Sequence, residues 1–330
     1  MNWLSRAPAN LMLLGEHSVV YGEPALACAV NQFIEIEWQA NDDDTVCIES
    51  ALANYEFTLE ELKHAALEDL EHPKLRFVIQ ALRVFAPFLQ HGLHIHIRSG
   101  FSSTIGLGSS AAVLAASLHG LNRITQQKLD RLTLFDEGLR IIQNIQGRGS
   151  GTDLAASLSG GLILFQPGNS QHSTQIAELN PELAAKMPLS LIYSGYKTPT
   201  AEVLQRVSEK WKTQSDLQNQ LYRVMGEVTR NAYEALQQDD MPSFYQLLEA
   251  YQGLMESLGV SDATLSQILY QMRDCSSIQA CKISGSGLGD CLLGIGDFSD
   301  CPEKNRRFLE QYQHIEVELT PHGATTETLN

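Results

Sequence analysis

The sequence predicts an α+β fold built as two units. Strand-like and helix-like segments come in runs instead of alternating βαβα, which argues against a doubly wound parallel sheet. At 330 residues the chain is long for one compact core and comfortable for two. A polar stretch of little pattern, residues 169–188, separates two such runs. We therefore expect an N-terminal unit over residues 1–185 and a C-terminal unit over residues 186–330. With 43% hydrophobic and 19% charged residues, both have material for a core.

In chain order, residues 9–14 form a short apolar run that ends at Gly15-Glu16-His17, and residues 19–21 lead into a turn at Gly22-Glu23-Pro24. Residues 25–38 read as strand, with the clearest alternation in residues 33–38. Residues 41–44 are a hydrophilic turn without EF-hand spacing. Residues 58–70 and 74–89 have helical periodicity. Leu93, Ile95 and Ile97 then alternate with His94 and His96, a strand with its histidines toward water. A Gly/Ser-rich loop at 100–110 opens the Ala-rich helix 111–124, and a helix at 129–146 follows. A second glycine loop at 147–153 begins another helix at 154–158, and residues 162–165 form a strand. Beyond residue 188 come a strand (189–193), four helices (200–211, 217–238, 241–258, 262–275) and a strand (280–284). A glycine turn (285–289), a strand (291–296), a helix (302–313) and a last strand (315–319) complete the pattern.

The net charge of −16 speaks against nucleic acid or an acidic membrane surface as partner, because no broad basic field replaces condensed counterions. It leaves room for a small anionic ligand, which needs only local backbone N–H groups, a few cations and a metal. No run of about 18 apolar residues is present to span a membrane. The six cysteines show no C-x-x-C spacing, and no secretory leader precedes the first motif. We expect reduced cysteines and a cytoplasmic location.

Three glycine-rich motifs carry the chemistry. Gly106-Leu107-Gly108-Ser109-Ser110-Ala111-Ala112 opens a helix. Glycines let the backbone approach a phosphate, and successive N–H groups with the helix N-terminus attract anionic oxygens. It is not a Walker loop, since G-x-x-x-x-G-K-[ST] is absent. Taken alone it could equally be a turn capped by Ser109 or Ser110. In the loop at 147–153, Asp153 can accept or orient the proton of a substrate hydroxyl, or else cap the following helix.

Gly106 to Ala112 resembles the ATP-phosphate motif of the GHMP kinases. Ala7-Pro8-Ala9-Asn10 through Gly15-Glu16-His17-Ser18-Val19-Val20-Tyr21-Gly22 is similar to their first motif. Cys281-Lys282-Ile283-Ser284-Gly285-Ser286-Gly287-Leu288-Gly289-Asp290-Cys291 is similar to their third. The order and spacing also match, so the resemblance spans nearly the whole chain. It implies an N-terminal domain like ribosomal protein S5 domain 2, a ferredoxin-like C-terminal domain and an active site between them. It further implies ATP as co-substrate with Mg²⁺, bound at Gly106, Leu107, Gly108, Ser109, Ser110 and Ala111 and at Gly285, Ser286 and Gly287. Asp153 is the implied catalytic acid/base, with Asn10 beside it. Ser110 and Glu16 are the candidate metal ligands.

Within that family, Gly15 to Gly22 looks most like mevalonate kinases. Galactokinases continue with an aspartate where this chain has Val19, and phosphomevalonate kinases have tyrosine where it has His17. Ser194-Gly195-Tyr196-Lys197-Thr198-Pro199-Thr200 is similar to the family's substrate loop. Glu16, His17, Arg148, Lys197 and Thr200 are thus the candidate substrate residues, with Lys197, Arg148 and His17 as cations for a carboxylate. The implied reaction is phosphorylation of a small-molecule hydroxyl, mevalonate first, with phosphomevalonate or another small alcohol, or a non-catalytic nucleotide-binding homologue, as alternatives. The expected partners are that substrate and ATP, with a homodimer left open. Two positions depart from the pattern. Mevalonate kinases carry lysine where this chain has Asn10. They also carry a metal-binding glutamate eleven residues before the aspartate, where this chain has Ile142. Read this way, Asn10→Lys should raise activity unless Arg6, Arg148 or Lys197 supplies the missing charge.

Overall fold

The computed structural model describes residues 2–64, 70, 72–102 and 105–329. Strand β1 (Asn2–Leu14) pairs antiparallel with β2 (Ala25–Ala40) along nearly its whole length. After β2 come β3 (Thr45–Ser50), β4 (Asn54–Thr58), α1 (Leu59–His64), α2 (Arg76–Phe85) and β5 (Leu93–Ser99). Helices α3 (Ser109–Ile124), α4 (Arg131–Gln146) and α5 (Thr152–Ser159) precede β6 (Leu162–Gln166) and β7 (Gln175–Glu178). The second segment holds β8 (Leu189–Tyr193), α6 (Thr200–Trp211), α7 (Ser215–Gln237), α8 (Met241–Leu258) and α9 (Ala263–Arg273). It continues through β9 (Ile278–Ser284), β10 (Cys291–Gly296), α10 (Glu303–Leu309) and β11 (Gln313–Val317) to β12 (Thr325–Leu329).

The strands form two sheets, as an α+β fold requires. The first runs β12-β1-β2-β5-β3-β4, with β6 on β2 and β7 on β6; only the β3–β5 pairing is parallel among the described pairs. The second runs β11-β8-β10-β9, all antiparallel. Counted along the chain that order is 4-1-3-2, the ferredoxin-like arrangement. Alternation along β1 and β2 sorts their side chains by face. Ile36 and Trp38 sit in a core with Phe135 and Phe165 beneath α2 to α5. Leu11, Leu13 and Val30 share the other core with Ile192, Tyr251 and Leu292. Apolar contact is therefore continuous from one sheet to the second segment.

Two kinds of helix start bear on the site. Asp130, Asp240 and Asp262 cap α4, α8 and α9, each accepting a hydrogen bond from a first-turn backbone N–H. Helices α3 and α5 begin instead after glycines in the left-handed conformation, Gly108 and Gly151, with no side-chain cap. The first N–H groups of α3 stay available to something else, whereas at α5 the Thr152 N–H donates to Ser150 Oγ at 3.2 Å.

The structure differs from expectation in several places. The stretch 169–188 is not a bare linker: it contains β7, paired with β6, and a 3₁₀ segment Pro181–Lys186. Strands β3, β4 and β12 were not anticipated, and the strand expected at 315–319 is Gln313–Val317. Of the helix expected at 58–70, α1 covers Leu59–His64, while residues 65–69 lie outside the described residues. Cys275 and Cys301 are joined as a disulfide, which corrects the expectation of reduced cysteines throughout. Packing of α9 against α10 brings together two residues that no short spacing pattern links. The division at 185/186 is our proposal for the two units, with β12 returning from the second segment to the first sheet.

Candidate active site

A cleft of about 620 Å³ opens where the two sheets meet. The N-termini of α3 and α5 face it, together with the hairpin turn between β9 and β10 and the segment leading into α6. Residues Gly106 to Ala111 form one wall, and Gly285 and Ser286 another. Gly108 is left-handed, φ 65°, and a Cβ there would lie 2.2 Å from the Asn10 amide nitrogen, so both the backbone and the space call for glycine. Neither Ser109 nor Ser110 caps α3. Loop and helix thus present backbone donors to the cleft, the arrangement that binds anions.

Asp153 is the second residue of α5 and does not cap it; Gly151 holds that position. Its side chain lines the cleft and is exposed to it. Desolvation by the neighbouring protein pushes its carboxyl up to about 6. Lys197 opposes the shift, while the like charges of Glu16 and Asp290 add to it. A carboxyl titrating near 6 suits a general base at neutral pH. Asn10, in β1, is 2% exposed. Its amide donates to Ser157 Oγ at 3.0 Å, and its backbone N–H to the Leu107 carbonyl at 3.2 Å.

The first and third motifs are bound to each other. Lys282 is wholly buried and pairs with Glu16, whose carboxylate also accepts from the Gly285 N–H at 3.4 Å. Burial drives Glu16 up and Lys282 down, and each holds the other toward its charged form. Tyr251 donates to the Glu16 carbonyl at 2.8 Å. His17 Nε2 donates to the Ser286 carbonyl at 2.8 Å; a carbonyl only accepts, so this nitrogen carries the proton. Burial depresses the His17 pKa, so the ring is neutral at pH 7. His17 was expected as a cation, and that expectation is corrected.

At the mouth of the cleft, Arg148 donates to the Ala201 carbonyl at 2.6 Å, beside Thr200 at the start of α6. Lys197 lies 3.2 Å from Asp290 Oδ2. Arg6 lines no part of the cleft; it pairs with Glu35 and Glu327 at 3.6 and 3.8 Å. The fold therefore brings to one cleft Asn10, Glu16, His17, Gly106 to Ala111, Arg148, Asp153, Lys197, Thr200, Gly285 and Ser286. Gly287 is the exception, packed against Val260. Sequence reasoning gave no role to Lys282 or Asp290. The available signal was charge at either end of an otherwise small and apolar glycine motif. Among the described residues no group of three or more His, Cys, Asp or Glu forms a metal site by itself. No described helix is long and apolar enough to cross a membrane.

Residues 76–161 match the sequence model of the GHMP kinases N terminal domain. The chain is 28% identical over 319 residues to the mevalonate kinase of Thermococcus onnurineus, covering 92% of this chain and 90% of that relative. Among solved structures, a Listeria innocua protein superposes with a TM-score of 0.86 at 17% identity, covering 99% of both chains. The mevalonate kinase of Methanococcus jannaschii does so with a TM-score of 0.79 at 18% identity, covering 96% of this chain and 98% of that one.

Proposed function

We propose that this chain is a GHMP kinase, an ATP-dependent enzyme acting on an alcohol group, and that it phosphorylates mevalonate. The observation that carries the reading is the position of Asp153. A carboxyl titrating near 6 shares one cleft with two glycine loops and with Lys197. The relatives named mevalonate kinase support the choice of acceptor, and they match along nearly the full length of both chains.

In this reading the triphosphate lies on the N–H groups of Gly106 to Ala111 at the start of α3, with Gly285 and Ser286 closing the opposite side. The acceptor hydroxyl points at Asp153. Its oxygen forms the new bond to the γ-phosphorus, its proton passes to the Asp153 carboxylate, and ADP departs with the electrons of the broken P–O bond. Asn10 and Ser157 hold the strand beside Asp153, and Lys197 supplies positive charge. Arg148, Thr200 and the N-terminus of α6 would receive the acceptor's carboxylate, with the neutral His17 bonding a hydroxyl through its free Nδ1. Mg²⁺ would spread the charge of the transferring phosphoryl group. Ser110 and a cleft carboxylate are the residues to hold it, and the unpartnered oxygens of Glu16 and Asp290 fit that need.

The test is incubation with Mg·ATP and a panel of acceptors (mevalonate, phosphomevalonate, galactose, homoserine and none), with products identified by mass spectrometry. Phosphomevalonate from mevalonate is the expected product. Turnover confined to another acceptor would move the assignment within the family. Nucleotide binding with no turnover on any acceptor would favour a non-catalytic homologue.

A further inference from the structure

Asp290 ends the third glycine motif, and its side chain is wedged between the two glycine loops. A Cβ built on Gly106 would lie 2.0 Å from its Oδ1, and one on Gly285 would lie 3.7 Å from its Oδ2. The residue is 9% exposed, and Oδ1 has no hydrogen-bond partner. Its backbone is held at φ 69°, a conformation few non-glycine residues adopt. The Asp290 N–H donates to the Tyr196 carbonyl at 2.8 Å, and the Ser194 N–H donates to the Asp290 carbonyl at 3.0 Å. The fold thus fixes a carboxylate between two loops shaped for an anion. Facing a triphosphate directly, that carboxylate would repel it. With a cation between them, the same placement becomes attractive.

Building on the kinase reading above, we propose that Asp290 is the carboxylate that binds the divalent metal of the metal–nucleotide complex. Magnesium is commonly held by one or two carboxylates with substrate phosphates completing its shell. The described residues offer that kind of site and no all-protein cage. Glu16 is the competing carboxylate, but its charge is already matched by Lys282, which is fully buried and fixed beside it. The partner of Asp290 is Lys197, whose side chain is 37% exposed and free to turn away. In the present geometry the Lys197 ammonium also acts on Asp153, and a metal at Asp290 would release it from the ion pair. One exchange therefore answers both departures from the family pattern, the missing glutamate at Ile142 and the missing lysine at Asn10.

The experiment measures the affinity of a non-hydrolysable ATP analogue by calorimetry, once with Mg²⁺ and once with a chelator. Wild type, Asp290→Asn, Glu16→Gln and Lys197→Met are compared. Wild type should bind the analogue at least about tenfold tighter with metal, on the scale by which even outer partners of a metal site change affinity. Asp290→Asn should bring that ratio close to one, through weaker binding with metal and equal or tighter binding without it. Glu16→Gln should keep the ratio. Lys197→Met retains the carboxylate and should keep or enlarge it. The proposal is overturned if Asp290→Asn keeps the wild-type ratio, or if Lys197→Met loses it equally, which would make the ion pair the important element. Loss of the ratio in Glu16→Gln alone would also overturn it. Failure of wild type to bind nucleotide at all would take the kinase reading down as well, whereas a metal-dependent wild type with an unchanged Asp290→Asn variant removes only this inference.

Discussion

Asp153 makes opposite demands on activity and on stability. Its carboxyl is pushed up to about 6 from 3.8, so the folded state binds the proton more tightly than the unfolded chain. Ionising it in place is therefore a stability cost, absent below pH 4, growing between 4 and 6 and fully present above 6. Asp153→Asn should raise the melting temperature at pH 8 and leave it unchanged at pH 4. The same variant should lose turnover by about two to four orders of magnitude while keeping its nucleotide affinity. In wild type kcat/KM should fall as pH drops through about 6. If the variant retains activity, Asp153 is not the base. Asn10 shows where one sequence can mislead. The neutral residue at a customary lysine position suggests a missing charge, and Asn10→Lys a gain. The fold instead places Asn10 against Gly108 and Ser157 with 2% exposure, and brings Lys197 to Asp153 from the other segment. We now expect Asn10→Lys to lower both turnover and melting temperature, measured on mevalonate and by calorimetry. A rise in turnover would restore the simpler reading.

Among the elements, the entry to α3 is the most sensitive. Gly108 is left-handed and touches Asn10, so an added methyl faces both backbone strain and a clash. A side chain in that conformation costs roughly 1–2 kcal/mol. Gly108→Ala should therefore destabilise the fold by at least about that much and weaken nucleotide binding; denaturant titration and calorimetry measure the two effects. Gly147→Ala, equally left-handed but with open space around its Cβ position, is the control for strain without contact. Elements with strong apolar periodicity were legible in the sequence, and β8, α6, α8 and β10 have the anticipated bounds. Strands β3, β4 and β12 were not. Thr325–Leu329 reads Thr-Thr-Glu-Thr-Leu and lies mostly exposed, so it buries little and leaves no hydrophobic alternation to find. Its register comes from β1, a partner more than three hundred residues away.

At the scale of the molecule, the glycine motifs announced which residues belong to the cleft but not how the segments are joined. Glu16 and Lys282 lie 266 positions apart, and only the folded chain shows them as one buried pair. Removing one partner of such a pair typically costs about 3–5 kcal/mol, because the other charge stays buried alone. Lys282→Met should lower stability on that scale, and the double variant Glu16→Gln/Lys282→Met should recover much of it, as read by chemical denaturation. A double-variant loss equal to the sum of the Glu16→Gln and Lys282→Met losses would mean that the pair is not coupled. The path of the chain carries a further consequence. It leaves the first sheet after β7, touches β2 again through the Val30–Leu319 bridge, and rejoins the sheet as a strand at β12, where Arg6 to Asn2 pair with Thr325 to Leu329. The second segment is thus an excursion whose two ends are stitched into the same sheet. Severing the exposed loop at 168–173 would not release two independent bodies. The pieces 1–170 and 171–330, produced as separate polypeptides in one cell, should find each other and co-purify as a reassembled enzyme.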